Sequence, residues 1–414
     1  MVKDQSIVLV NLSRTPDLAF SLLHKQHNSF LIFTDDNKHF LAKISKLYWE
    51  LGYSNRAIFV YTPANFVNHR NKLVSLISKY CYNVYYSGDE PEWIKLIKNC
   101  KLSLLSVNTI FNFQVQPSFT PKREKLGILM IQFDAYKLTK DCIESLLKTK
   151  YRNKKIYLLD NASEDYSSLE LFLNYPEIII ISSISRTSYC QGFNILADFA
   201  ARDNCKYLFI TNNDTKGFSY NIFEELIKNL TARIMIVSPK ILDFTQKDIH
   251  WRPRTKFGMQ FDIATEAYLI STAIWRKVGG FNSNFIMYIE DLDLLQRIWK
   301  IGGQSLLVTN VKLNHLGNGA TKKLIFIPTY YYLRNLIWVQ KNRKDKTFFD
   351  LIYYFTSSFY KRFSSARFKH KPLIIFYSLL AFVSGLVLNS TTFPQKSLHT
   401  TLLNSKTEFR YKIW

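Results

Sequence analysis

The residues of this chain best suited to chemistry begin where an apolar run ends. Tyr207–Thr211 is followed at once by Asn212-Asn213-Asp214. Hard oxygen donors at the carboxyl end of a strand are where an open α/β sheet holds a divalent cation and a phosphate-bearing ligand. Only one of the three side chains is charged, so Mg²⁺ or Mn²⁺ bound there would draw further ligands from a diphosphate. The same residues also suit an Asx turn. Glu290, Asp291 and Asp293 stand at the start of the helical pattern Leu292–Lys300, just after the aromatic-apolar stretch Phe285–Ile289. Acids there cap a helix and favour its dipole. A carboxylate against such an apolar wall also suits general-base work, because burial raises its pKa, although on these residues alone the cap is the stronger reading. His315 follows the strand pattern Ser305–Val308 and precedes Gly317-Asn318-Gly319, a loop able to close over a ligand. Imidazole is an acceptable Mn²⁺ ligand where carboxylates are scarce. Asp160 ends the run Tyr157-Leu158-Leu159, either as a turn residue or as an acceptor for a ribose hydroxyl or base N–H. Together these clusters imply metal-assisted group transfer from a nucleotide-activated donor.

The elements that must position them alternate regularly. Strand patterns at Leu126–Ile131, Lys155–Leu159, Ile178–Ile181 and Tyr207–Thr211 are interleaved with helical patterns at Thr139–Lys150, Ser167–Leu173 and Gly192–Ala201. This alternation with short loops predicts an α/β fold with a mostly parallel sheet covered by helices, and ligands at the carboxyl ends of the strands. Before it, residues 1–118 read as a small accessory α/β domain. Its strand patterns are Ile7–Val10, Phe30–Phe33, Ala57–Tyr61 and Asn83–Tyr86, with helical spacing at Phe40–Leu51 and Asn71–Tyr80. A Pro-bearing charged linker spans Gln116–Lys125. No Gly-Xaa-Gly-Xaa-Xaa-Gly turn follows a first strand, which excludes the usual dinucleotide-binding reading.

The formal net charge of +23 is concentrated at one end: from Lys322 onward there are 16 Lys or Arg against three acids. The same segment is crowded with Tyr, Phe, Leu and Ile. Basic, aromatic and aliphatic residues together fit an anionic membrane surface better than nucleic acid, for which no recognition motif is present. The uncharged run Leu373–Leu388 is shorter than the ~20 residues of a bilayer span, and predicts an in-plane or re-entrant element. Residues 323–414 are therefore expected to be a membrane-associated helical tail. Five cysteines without close pairing read as buried free thiols in a reducing compartment. The N-terminus lacks a signal-peptide pattern, so the catalytic part is expected at the cytoplasmic face, as a peripheral protein.

In this order the parts resemble the inverting family-2 glycosyltransferases of the GT-A fold, particularly the bacterial branch that includes rhamnosyltransferases. The resemblance covers roughly residues 125–320. The family's opening Thr-Tyr-Asn is similar to Gln132-Phe133-Asp134, and its Val-Asp-Asn-Xaa-Ser element to Leu159-Asp160-Asn161-Ala162-Ser163. Its Gly-Xaa-Asn helix start resembles Gly192-Phe193-Asn194, without the final glycine, and its DXD-type motif resembles Asn212-Asn213-Asp214. Its Gly-Gly-Phe-Asp and Glu-Asp-Xaa-Asp-Leu blocks are matched by Gly279-Gly280-Phe281-Asn282 and Glu290-Asp291-Leu292-Asp293-Leu294.

The resemblance implies a GT-A domain at 119–322 acting on a nucleotide-diphosphate sugar. Asp291 would be the general base with Glu290 its neighbour, and Gln132, Phe133, Asp160, Asn194 and Asn213 would bind the donor. Asp214 and His315 would hold a divalent cation. The implied acceptor is a lipid-linked glycan in surface polysaccharide assembly, such as capsule or O-antigen. The alternative is a degenerate, non-catalytic binding subunit of such an assembly.

Overall fold

The structure, a computed structural model of the 414-residue chain, describes residues 124–388 apart from 164, 166, 176, 184–185, 244–253, 257–258, 262–264, 318–325, 344–346 and 367–369, together with five strands within the first 123 residues. The chain divides into two compact units. One is Met1–Glu124, Ile131–Lys140 and Lys155–Arg186, and the other is Lys125–Met130, Asp141–Lys154 and Thr187–Trp414.

The first unit contains a five-stranded parallel sheet of β1 (Ile7–Asn11), β2 (Phe30–Asp35), β3 (Ala57–Tyr61), β4 (Asn83–Ser87) and β5 (Ser103–Leu105), in the order β3-β2-β1-β4-β5. Four of these strands are legible in the sequence; the three-residue β5 is too short to show a pattern. The helical patterns at 40–51 and 71–80 and nearly all of the 116–125 linker lie outside the described residues.

A second sheet has eight strands: β6 (Leu126–Gln132), β7 (Lys154–Asn161), β8 (Ile179–Ser183), β9 (Tyr207–Thr211), β10 (Thr215–Lys216), β11 (Ile234–Leu242), β14 (Ala267–Ser271) and β15 (Gln304–His315). Their order is β10-β15-β11-β14-β9-β6-β7-β8. A separate two-stranded ribbon pairs β12 (Arg254–Lys256) with β13 (Met259–Phe261). Pairs β6–β9, β7–β8 and β11–β15 are parallel. β14 runs antiparallel to both β9 and β11, and β10 antiparallel to β15. The central strands are apolar without alternation because both faces are covered: Leu208, Phe209, Ile210, Leu269, Ile270 and Val237 have no exposed surface. The fold class is thus α/β, as the alternation of patterns predicts, with β14 reversed inside the sheet.

Nine helices occur among the described residues. They are α1 (Tyr136–Leu147), α2 (Ser167–Asn174), α3 (Tyr189–Arg202), α4 (Ile222–Asn229), α5 (Thr272–Val278), α6 (Glu290–Lys300), α7 (Phe326–Lys341), α8 (Phe348–Ser365) and α9 (Lys371–Val387). α3 opens with a capping box between Ser188 and Gln191. α6 carries three acids in its first turn and two bases in its last, which suits the dipole. It is anchored by Leu292, Leu294, Leu295 and Ile298, all fully buried, at roughly 1.5–3 kcal/mol each. α7 is buried through Leu333, Leu336, Ile337, Trp338 and Val339, so this part of the basic segment is packed interior. α8 and α9 differ: Phe349, Tyr353, Phe376, Leu379, Val383 and Val387 stand exposed. Among the described residues no helix is long and apolar enough to cross a membrane. Cys142, Cys190 and Cys205 are buried free thiols.

Candidate active site

β15 runs much further than its Ser305–Val308 pattern. The parallel pairing with β11 skips from Pro239↔Val308 to Lys240↔Lys312, a bulge after which the strand resumes to His315. The polar residues Thr309, Asn310 and Lys312 interrupt the alternation, which is why the sequence pattern stops early and leaves His315 in a loop. Antiparallel pairing with β10 sets His315 opposite Thr215. The backbone N–H of Leu316 donates to the carbonyl of Asp214, 3.0 Å.

This places His315 Nε2 3.1 Å from Asp214 Oδ1, with the two side chains 13% and 10% exposed. The Asn212 amide is 3.4 Å from the same ring nitrogen, although the two residues are 103 apart in sequence. Burial opposes charge on His315, but the hydrogen bond and charge of Asp214, with Glu266 behind them, hold its pKa above the ordinary imidazole value. The turn beneath is locked by hydroxyls. Thr215 donates to the carbonyl of Asn212 (2.8 Å), and its oxygen lies 2.9 Å from that of Thr211. Asn213 is half-buried in this turn.

Tyr189, the first residue of α3, bonds to this cluster and feels the charge of the acids. Its hydroxyl donates to Asn212 Oδ1 at 3.5 Å, and its backbone N–H donates to the carbonyl of Ile286. Burial, then the negative charges of Glu290 and Asp291, push its phenol far above the usual range, so it remains a neutral donor. Tyr268 on β14, fully buried, is raised by burial and by Tyr189, Asp291 and Glu290. Thr215, Tyr189 and Tyr268 are not singled out by sequence; a lone aromatic in an apolar run carries no chemical signature.

Glu290 and Asp291 begin α6 half-buried. Asp291 Oδ1 accepts the N–H of Leu292 at 2.8 Å, a capping contact that also orients the carboxylate. Asp293 is buried and paired to Arg297 at 2.6 Å. Arg297 in turn donates to the carbonyls of Val278 (2.5 Å) and Gly280 (2.6 Å), so this acid ties α6 to the glycine turn. Asn194 serves the same turn. Its amide donates to the carbonyl of Phe281 (2.8 Å) and accepts the N–H of Phe281 (2.9 Å). Gly280, at φ +63, lies under it: a Cβ there would fall 2.6 Å from Asn194 Oδ1.

In the other unit, Gln132 donates to Asp160 Oδ1 (3.2 Å) and to Ser167 Oγ (3.1 Å). Asp160 is 4% exposed. Burial pushes its pKa up to about 6, while hydrogen bonds from Ser163, Ser168 and Gln132 pull it down and Asp165 adds to the rise. The ring of Phe133 lies under the Arg186 guanidinium at 3.6 Å, and Asp134, at φ 44, donates its N–H to Ser163 Oγ. The structure therefore assembles the expected residues in two groups. Gln132, Phe133 and Asp160 make one. Asn212, Asp214 and His315 make the other, with Tyr189 bonded to Asn212 and within the field of Glu290 and Asp291, and with Asn194 committed to the glycine turn.

The Asp214 carboxylate and the His315 imidazole, 10% and 13% exposed, are donor types that Mg²⁺ or Mn²⁺ takes beside phosphate oxygens, provided the imidazole gives up the proton it shares with Asp214. Among the described residues there is no cluster of three or more metal-ligating side chains.

No protein-family model and no curated protein matches the sequence. Among solved structures the chain is similar to the mannosyltransferase PcManGT from Pyrobaculum calidifontis in complex with GDP-Man and Mn²⁺: 11% identity over 64% of this chain and 88% of that one, TM-score 0.43. It is similar also to S. aureus TarS 1–349 in complex with UDP-GlcNAc: 9% identity, 63% and 81% covered, TM-score 0.48.

Proposed function

We propose that the chain is an inverting glycosyltransferase that moves a sugar from a nucleotide-diphosphate sugar to a lipid-linked glycan, in the manner of the rhamnosyltransferase-like branch it resembles. The observation that carries this is the convergence of Asp214 and His315 at 3.1 Å, with Tyr189 joining Asn212 to the charges of Glu290 and Asp291. Asp291 takes the proton of the acceptor hydroxyl as that oxygen attacks the anomeric carbon, and Glu290 adds negative charge beside it. Tyr189 stays protonated and steadies Asn212. A divalent cation held by Asp214 and His315 would supply positive charge for the departing diphosphate. Asp160, supported by Gln132, accepts hydrogen bonds from the nucleoside, and Phe133 and Asn213 complete the donor contacts.

The exposed apolar residues of α8 and α9, within a segment carrying 16 basic residues against three acids, support binding to an anionic membrane surface. That is where a lipid-linked acceptor resides. The protein would then work peripherally at the cytoplasmic face, in capsule or O-antigen assembly. In this reading residues 1–118 are an accessory domain, 119–322 the GT-A domain and 323–414 the membrane-associated tail. The test is hydrolysis and transfer by purified full-length protein across a panel of UDP-, GDP- and dTDP-sugars with Mg²⁺ or Mn²⁺. If no donor is consumed or bound, the binding-subunit alternative replaces this reading.

A further inference from the structure

The backbone that delivers Asp291 is held in an unfavourable conformation. Tyr288 and Ile289, immediately before α6, have φ of 67° and 69°. Neither is glycine, and Ile289 is β-branched, so this pair persists only if its surroundings impose it. Ile289 is also the N-cap of α6 and has no side-chain capping bond.

What imposes it is a polar pair inside α7. Asn335 is fully buried, and its Nδ2 donates to the carbonyls of Met287 and Tyr288, both at 2.9 Å. Its Oδ1 accepts two bonds from Arg334, from Nε at 3.0 Å and Nη2 at 2.7 Å. A carboxamide has two donor hydrogens and two lone pairs, so every hydrogen-bonding position of Asn335 is used. Arg334 Nη2 also donates to the carbonyl of Asn284, 3.2 Å. Its guanidinium lies 4.0 Å from the Trp338 ring and 4.9 Å from that of Tyr331, which accounts for a charge buried in this helix. The loop from Asn284 to Tyr288 is thus gripped through three carbonyls by side chains some fifty residues downstream.

We propose that Asn335, backed by Arg334, is a positioning residue for the reaction: it fixes the left-handed pair from which Glu290 and Asp291 project. The proposal rests on Asp291 being the base. A buried carboxamide is costly unless fully paired, and here all of its pairing is spent on the carbonyls of the two residues before the strained N-cap and on the side chain that holds Asn284. An apolar residue would fill the same volume without that cost, so the residue type points to the loop it holds.

The test is Asn335→Asp, which keeps the acceptor for Arg334 but sets an oxygen against two carbonyls. Amide hydrogen exchange across 285–291 should quicken by about tenfold or more while that of β9 and β14 is unchanged. Turnover of whichever panel sugar is hydrolysed fastest should fall by about 10²-fold in kcat, with donor KM within about threefold of wild type. Adding Tyr288→Gly, which removes the conformational penalty at that residue, should restore part of the lost kcat. Should Asn335→Asp fail to fold, Asn335→Ser, which keeps one donor, serves with a smaller expected loss. Unchanged exchange at 285–291 in a folded variant, or a loss confined to KM, overturns the proposal. If exchange quickens but Asp291→Asn retains wild-type turnover, the brace stands and the assignment of the base fails.

Discussion

Asp160 and Asp214 both follow apolar strands and both are nearly buried, yet their partners differ in kind. Asp160 is ringed by neutral donors, from Gln132 and the serines at 163 and 168, and its pKa rises to about 6. Asp214 faces an imidazole at 3.1 Å, which can carry the compensating charge or share a cation with it. The difference gives one residue type, at one kind of position, two distinct surroundings, and under the proposed function two tasks. Burial raises Asp160 further than its neutral donors lower it, leaving a carboxylate that changes character near pH 6. The imidazole gives Asp214 a neighbour that, under the proposed function, shares a cation with it.

The largest effect expected from this contrast is on metal dependence. Chelation should abolish transfer, with Mn²⁺ or Mg²⁺ restoring it, and Asp214→Ala should weaken nucleotide binding only when metal is present. Asp160→Asn should leave the metal requirement intact. Undiminished turnover in excess EDTA would remove Asp214 and His315 from the cation role and collapse the distinction. Next in size, Asp291→Asn should lower kcat by ~10²-fold or more with donor binding little changed. Wild-type turnover in that variant would move the base to Glu290.

A smaller effect separates the two aspartates by pH. Protonation removes the charge of Asp160 and turns one of its acceptor oxygens into a donor, so donor KM should rise by up to about tenfold per unit as pH falls below about 6. Asp160→Asn should have a high KM without this slope; a slope that persists assigns the titration elsewhere. The stability effect has the opposite sense. A carboxyl whose pKa is raised on folding binds its proton more tightly in the native state, so stability is lost as pH rises from about 4 to about 6. The loss is on the order of 3 kcal/mol, and thermal melts of Asp160→Asn should exceed wild type at pH 7 but not at pH 4. The smallest effect concerns α8 and α9. Salt should release the protein from phosphatidylserine-containing vesicles only in part, because it screens the basic residues but not the apolar burial. Full indifference to such vesicles at low salt would leave those helices without the membrane role.

Much of this was legible in residue pattern. The strand Tyr207–Thr211 has the same bounds in sequence and structure, and the starts of β6, β7 and α2 fall within one residue of their patterns. Asp160, Asp214 and Asp291 stand out because charge after an apolar run is conspicuous. What could not be read depends on distant pairing. The reversed β14 resembles any apolar strand, since direction leaves no mark on composition. The second half of β15 is hidden by its bulge. Arg334-Asn335 lies in a segment so basic and aromatic that its composition speaks for a surface, although Leu333, Leu336 and Ile337 around the pair mark a buried helix face. Tyr189 acts through a hydroxyl that only folding brings to Asn212.

α9 lies so close on α7 that a Cβ at Gly385 would fall 2.8 Å from Ile337 Cδ1, while Trp338 Nε1 donates to the carbonyl of Leu388. α9 therefore covers the helix that holds the 284–289 loop, and both helices are synthesised after it. During translation the strands and Asp214 can be in place long before the Tyr288–Ile289 bend has anything to hold it. If the acid pair acts as proposed, its competence waits on docking of α7 and α9 and not on folding of the sheet alone. A nascent chain stalled short of α7 would carry every side chain assigned to the chemistry and still present Glu290 and Asp291 at the end of a relaxed loop.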